Sequence, residues 1–386
     1  VAFALNELKK ANMPVAFFDT GIDAHHKYTR NIAGESVDVV SFAEGDGPLT
    51  LVTGAAYDDN GHGSHVAGIL GEILDRKHRW GQKADVALHS VKVLESDGTG
   101  YLSNIIYGLQ WAIDNDIKIA NMSIGYRQDS PAVKRAVQEA AKAGVIMFAS
   151  VGNKSNYDPD VTLKVTVDGG SVDGGSVDGG SVDGCSADGL PLYSVMYPAR
   201  YPEVIAVGAS NAYGKLATFS NSGEEMDILA PGASILSVDI TNDDPRKGLG
   251  IASGTSMSVP YVTAAAVMML AIDPTLGAEE IREILAETAY VEGVDCPAGD
   301  MNLVAALDEV LFRTKDDTVY DYDNRESEKK YRQMLKEKIR DARRSTVADD
   351  RFTEDGGQEE GMTYLDQLKE EIRAARKSAF WMGSAR

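Results

Sequence analysis

The sequence predicts an α/β fold of three layers, with a mostly parallel central sheet covered by helices on both faces. Three observations carry that prediction. Short β-branched runs alternate with amphipathic stretches of helical period through the first three hundred residues. The residues able to do chemistry stand where such runs end, which is where sheets of this kind place their active groups. The chain has 386 residues, 43% of them hydrophobic, enough for one large core and an appendage. In chain order, strands are expected over 15–18, 37–42, 86–93, 117–124, 145–150 and 204–207. Helices are expected over 2–10, 62–75, 103–114, 131–143, 256–270 and 278–287.

Composition narrows the function. The formal charge is −21, from 38 Lys and Arg against 59 Asp and Glu. An acidic chain without a basic cluster cannot make the phosphate contacts that nucleic-acid binding needs, so no nucleic-acid partner is expected. No run of 18 or more apolar residues appears, which predicts no transmembrane segment. Two cysteines, Cys185 and Cys296, exclude a disulfide-stapled scaffold and a Cys-rich zinc domain. The charge is unevenly placed. Residues 313–386 hold 17 basic and 17 acidic side chains, 34 of 74, so residues 1–312 carry the whole −21. The shift marks two segments, a large domain over 1–312 and a charged, helical tail over 313–386.

Two repeats interrupt the alternation. A Val-Asp-Gly-Gly-Ser unit starts at Val167, Val172 and Val177, with a fourth copy at Val182. It makes residues 166–190 a low-complexity insert, expected as a surface loop because glycine at this density is entropically costly to order. A calcium-binding role for the evenly spaced Asp168, Asp173, Asp178, Asp183 and Asp188 is the alternative. In the tail, Tyr331, Leu335, Ile339 and Ala342 recur 33 residues later as Tyr364, Leu368, Ile372 and Ala375. The spacing suits two short helices, either solvated or docking on an unknown partner or a membrane surface.

Four segments carry the chemical signal. Val-Ala-Phe-Phe-Asp-Thr-Gly over 15–21 ends a strand on the carboxylate of Asp19. Asn-Gly-His-Gly-Ser-His over 60–65 opens a helix on His62, and Ala-Ser-Val-Gly-Asn over 149–153 follows a strand with Asn153. Gly-Thr-Ser-Met-Ser-Val-Pro over 254–260 puts Ser256 at the start of an apolar helix. A serine hydroxyl needs a base to take its proton, and histidine suits that role near neutral pH. The base needs a buried carboxylate to fix its tautomer, and the negative charge of a tetrahedral intermediate needs preorganised donors. Gly61 and Gly63 are expected to keep the face of His62 open, and His65 to be a packed structural histidine. His25, His26, His78 and His89 show no ligand spacing.

At these four segments, in the chain order Asp, His, Ser, the sequence resembles the subtilisin-like serine proteases, the subtilase family. The likeness also covers Val-Lys-Val-Leu over 91–94, Asp-Gly-Thr-Gly over 97–100, Asn-Met-Ser-Ile-Gly over 121–125 and Val-Ile-Ala-Val-Gly over 204–208. It implies a subtilisin-like fold and a serine endopeptidase acting on protein or peptide substrates through an acyl-enzyme. Asp19 would orient the base, His62 would be the base, Ser256 the nucleophile and Asn153 the oxyanion donor. Gly98, Thr99 and Gly100, with Ser123, Ile124 and Gly125, would bind substrate as added strands. No cofactor is implied for the chemistry; a structural calcium is compatible with the family but unassigned, since the segment at 72–80 lacks an Asn-rich turn. The resemblance also implies a secretory route. The alternative reading is a catalytically silent subtilase fold that binds partners through its C-terminal repeat.

Overall fold

The computed structural model describes residues 13–26, 28–29, 33–40, 52–53, 57–74, 86–153, 164–167, 194–241, 248–291 and 298–314. The helix expected at 2–10, the insert beyond Val167, both cysteines and the tail repeat lie outside the described residues.

The central sheet has eight strands. They are β1 (Met13–Asp19), β2 (Ala33–Asp38), β3 (Val52–Thr53), β4 (Val86–Lys92), β6 (Ile119–Met122), β8 (Ile146–Ser150), β10 (Val204–Ser210) and β11 (Ile228–Pro231). Their order is β11-β10-β8-β6-β1-β4-β2-β3, and every pairing is parallel except that of β2 with β3. Beside it lie the antiparallel hairpin of β12 (Ile235–Val238) and β13 (Leu249–Ala252), and a three-stranded sheet of β5 (Thr99–Tyr101), β7 (Ile124–Gly125) and β9 (Lys164–Val167).

Among the described residues six helices cover the sheet: α1 (His62–Leu74), α2 (Leu102–Asp114), α3 (Pro131–Lys142), α4 (Thr255–Ile272), α5 (Ala278–Thr288) and α6 (Leu303–Thr314). The alternation of strand side chains divides the core into two halves. Val15 and Phe17 of β1 face the layer that includes α1, α4, α5 and α6. Ala16 and Phe18 face the layer of α2 and α3, through Ile105, Leu109, Val133 and Val137. Three layers result because a central parallel strand is apolar on both sides and must be covered on both.

The strongest departure from helical patterning is α4. It has no polar face, and its 18 residues have the length and composition of a membrane span. In the folded chain 83% of it is buried. It packs against α1, α6, β8 and β10 as the core helix of one layer.

The strand expected over 117–124 is two strands. β6 belongs to the central sheet and β7 to the three-stranded one, with the break at Ser123. The elements that patterning did not anticipate are β3, β5, β9, β11, the β12–β13 hairpin and α6. The last ends at Thr314, just past the compositional boundary.

Candidate active site

The carboxyl edge of the sheet gathers the residues singled out above. β1 ends on Asp19, which pairs in register with Lys92 of β4. On its other side Phe18 pairs with Met122 of β6. Asp19 and Ser123 are therefore each the next residue on two adjacent strands. β8 ends at Ser150, and Asn153 follows it. Two helices start at the same edge, α1 on His62 and α4 on Thr255.

The first half of the site is a direct pair. His62 Nδ1 lies 2.7 Å from Asp19 Oδ1, and the carboxylate is buried at 1% exposure. The same oxygen accepts the Thr20 N–H at 2.7 Å. A buried carboxylate at Nδ1 holds that nitrogen as the protonated one and leaves Nε2 as the basic end. Gly63 allows the approach of α1 to the end of β1. A Cβ there would stand 2.1 Å from the Gly21 carbonyl oxygen and 3.1 Å from the Asp19 side chain. Its need is thus close packing of helix on strand, and not only an open face for His62.

The second half is built around Ser256. Its Oγ donates to the Ser123 carbonyl at 3.2 Å, and Ser123 Oγ donates back to the Ser256 carbonyl at 3.0 Å. Pro260 explains why that carbonyl can accept. In an α-helix it would receive the N–H of the residue four ahead, and proline has none. Asn121 Nδ2 donates to Ser123 Oγ at 3.0 Å, and Thr263 Oγ1 donates to Asn121 Oδ1 at 3.0 Å. The start of α4 is thus pinned to the end of β6 over two turns.

Asn153 is buried, and its Oδ1 accepts both the Thr255 N–H at 3.1 Å and the Thr255 Oγ1–H at 3.3 Å. That contact caps the first amide of α4. It also fixes which end of the side-chain amide is the nitrogen, turning the donor end away from Thr255. The carboxyl edge of the sheet therefore carries an ordered imidazole, a serine at a helix start and an oriented amide.

Among the predicted peptide-binding residues, Thr99 and Gly100 lie in β5, Ile124 and Gly125 in β7, and Gly98 in the turn before β5 with φ of +78°. Gly100 must be glycine on steric grounds, since a Cβ would stand 2.4 Å from the Val93 carbonyl oxygen. Both segments pair antiparallel with β9, which lies between them.

Two residues that sequence reasoning passed over support the pair. Asp58 accepts the Thr20 hydroxyl and the N–H groups of Asn60, Gly61 and Ser64, all within 2.8–3.0 Å. It shapes the loop that delivers His62 and accepts one free amide of the first turn of α1, that of Ser64. Lys92 is buried and donates to the carbonyls of Thr20 and Leu94 and to Asp59 Oδ1, each at 2.7 Å. Nothing in the residue pattern distinguishes it from an ordinary strand lysine. No group of three or more His, Cys, Asp or Glu is placed to hold a metal ion among the described residues.

His65 is buried in α1, with Nε2 3.3 Å from the Gly250 carbonyl oxygen. Burial, then the neighbouring His62, pushes its pKa down to about 4. The folded chain thus holds His65 neutral where the unfolded chain takes up a proton. Stability is complete above pH 6.5 and is lost as pH falls toward 4, by on the order of 3 kcal/mol from this group. Urea-unfolding curves at pH 7 and pH 4.5 measure that loss. In a His65→Gln variant the drop between the two pH values shrinks by most of that amount; an unchanged drop would remove His65 as its source.

The subtilase family model matches residues 10–333. The chain belongs to the subtilase family. It is 33% identical to Subtilisin DY of Bacillus licheniformis over 283 residues, covering 73% of this chain and 85% of that one. To Subtilisin E of Bacillus subtilis (strain 168) it is 34% identical over 283 residues, 62% of that protein's length. The Minor extracellular protease Epr of the same organism is 30% identical over 272 residues, 34% of its length. A cold-adapted subtilisin-like serine proteinase of known crystal structure superposes with a TM-score of 0.53 at 27% identity, over 75% of this chain and 86% of that one. This subtilase is a serine endopeptidase, a hydrolase of peptide bonds. Its α/β fold with a parallel central sheet is the subtilisin-like one.

Proposed function

We propose that this subtilase cleaves extended protein substrates through an acyl-enzyme, with Asp19, His62 and Ser256 as the triad and Asn153 as the oxyanion donor. The observation that carries the reading is the 2.7 Å contact of His62 Nδ1 with the buried Asp19 carboxylate. A histidine so held is a base with one defined tautomer. In the reaction, His62 Nε2 takes the Ser256 Oγ proton as Oγ attacks the scissile carbonyl carbon. The carbonyl oxygen becomes an anion and receives N–H groups from Asn153 Nδ2 and from the first turn of α4. His62 then gives its proton to the departing amine, the peptide C–N bond breaks, and water repeats the sequence to release the acid.

The substrate lies extended along the edges at Gly98, Thr99 and Gly100 and at Ser123, Ile124 and Gly125. Support comes from β5 and β7, whose pairing edges meet one antiparallel strand between them. Main-chain pairing of that kind tolerates varied side chains. Action outside the cell is part of the proposal, supported by the extracellular protease among the relatives. No observation among the described residues favours a catalytically silent fold.

A serine-directed fluorophosphonate tests the reading. It is expected to inactivate the enzyme with one adduct, on the peptide containing Ser256. A folded enzyme that takes no label, or takes it on another residue, refutes the assignment.

A further inference from the structure

The groove that the proposed function assigns to substrate is filled by the chain itself. β9 (Lys164–Val167) is the middle strand of the three-stranded sheet, with β5 on one side and β7 on the other. Its pairing is antiparallel to both, with Gly100 opposite Val165, Ile124 opposite Val167, and Thr166 opposite both Thr99 and Gly125. A peptide added between two strand edges satisfies their free N–H and C=O groups on both sides. β9 already does so. Its Val167 end lies at Ile124, and the next residue of that wall is Ser123, whose carbonyl accepts the Ser256 hydroxyl at 3.2 Å. The strand therefore runs toward the nucleophile along the path of a substrate. Ser256 is itself buried at the start of α4, like its neighbours Thr255 and Ser258.

We propose that Lys164–Val167 is a built-in occupant of the peptide groove, which an incoming substrate must displace. The proposal rests on the reading of β5 and β7 as substrate-binding edges and adds the regulation of that site. The occupant is short, four residues, so its hold is weak, but it is covalently tethered. An occupant that fills the groove in about nine of ten molecules leaves about a tenth competent and raises the apparent KM of a peptide substrate about tenfold. The effect falls on KM, because the groove is identical once emptied.

The test is the hydrolysis of a short acyl-peptide anilide by the full chain and by its Thr166→Pro variant. Proline removes the N–H of the residue that pairs with both walls and is excluded from a central strand. KM is expected to fall about tenfold with kcat unchanged, while the rate of labelling by a small fluorophosphonate stays within twofold. An added peptide of sequence Leu-Lys-Val-Thr-Val is expected to inhibit the variant competitively and to inhibit the parent about tenfold less. An unchanged KM overturns the proposal. So does a raised KM with intact labelling, which would make β9 a wall of the groove and not its occupant. Should Thr166→Pro fail to fold, Thr166→Gly keeps the N–H and weakens only the strand, and KM falls about two- to fivefold. If neither parent nor variant labels at Ser256, the assignment of the active site fails, an outcome separable from failure of the occupant.

Discussion

Ser256→Ala is expected to lower kcat by about 10⁶ with little change in KM, and to abolish fluorophosphonate labelling. The magnitude is the one known for subtilisin itself, not one calculated from this site. Its physical basis is the chemistry assigned to the side chain. In the proposed mechanism the Oγ of Ser256 is the atom that forms the acyl bond, and alanine at this helix start offers nothing in its place. The oxyanion donors, the groove edges and the imidazole remain, so substrate binding survives and about 10³ of acceleration over water with it. The fold is expected to tolerate the change. The change removes the hydrogen bond from Ser256 Oγ to the Ser123 carbonyl, while the return bond from Ser123 Oγ to the Ser256 carbonyl is untouched. A stability cost of about 1 kcal/mol follows. Stopped assays at high enzyme concentration, with unfolding curves alongside, measure both quantities. A loss of less than tenfold, or persistent labelling, would place the nucleophile elsewhere.

The ends of the site elements were legible because function and local structure reinforce each other there. Asp19, His62 and Ser256 each stand where an apolar run changes into a turn or a helix start, and β1, α1 and α4 begin or end within a residue of those positions. α4 was found from its motif and its length, since a helix buried on all sides has no period to read. Ser123 was harder. Its neighbours from Ile117 to Ile124 read as one strand, but the run divides at Ser123, where the reciprocal bonds with Ser256 are made. Those bonds join residues 133 apart, and no local propensity reports them. β9 was hidden for a different reason. Lys-Val-Thr-Val alternates over only four residues and runs straight into the glycine–aspartate repeat. Its structure comes from the two edges that receive it, not from its own sequence. The β12–β13 hairpin was hidden because Ile235 and Val238 are buried while their partners in β13 are not, so neither strand alternates cleanly.

Asp19→Ala is expected to lower kcat by about 10⁴, again the scale known for subtilisin, and the reason lies in what Asp19 holds. Its Oδ1 engages both His62 Nδ1 and the Thr20 N–H, each at 2.7 Å. Without the carboxylate, the imidazole is free to carry its proton on either nitrogen, and the imidazolium formed during attack loses its counter-charge. Both losses act through His62 and reach the substrate only by way of Ser256. That dependence makes a double substitution decisive. Once Ser256 is alanine there is no hydroxyl for the base to deprotonate, so adding Asp19→Ala to Ser256→Ala is expected to cost less than tenfold more. Independent contributions would multiply to about 10¹⁰, and a further loss approaching 10⁴ in the double variant would show that Asp19 acts by some route other than the His62–Ser256 pair. The geometry argues for dependence, because the carboxylate is 1% exposed and its oxygen faces His62 and the Thr20 amide.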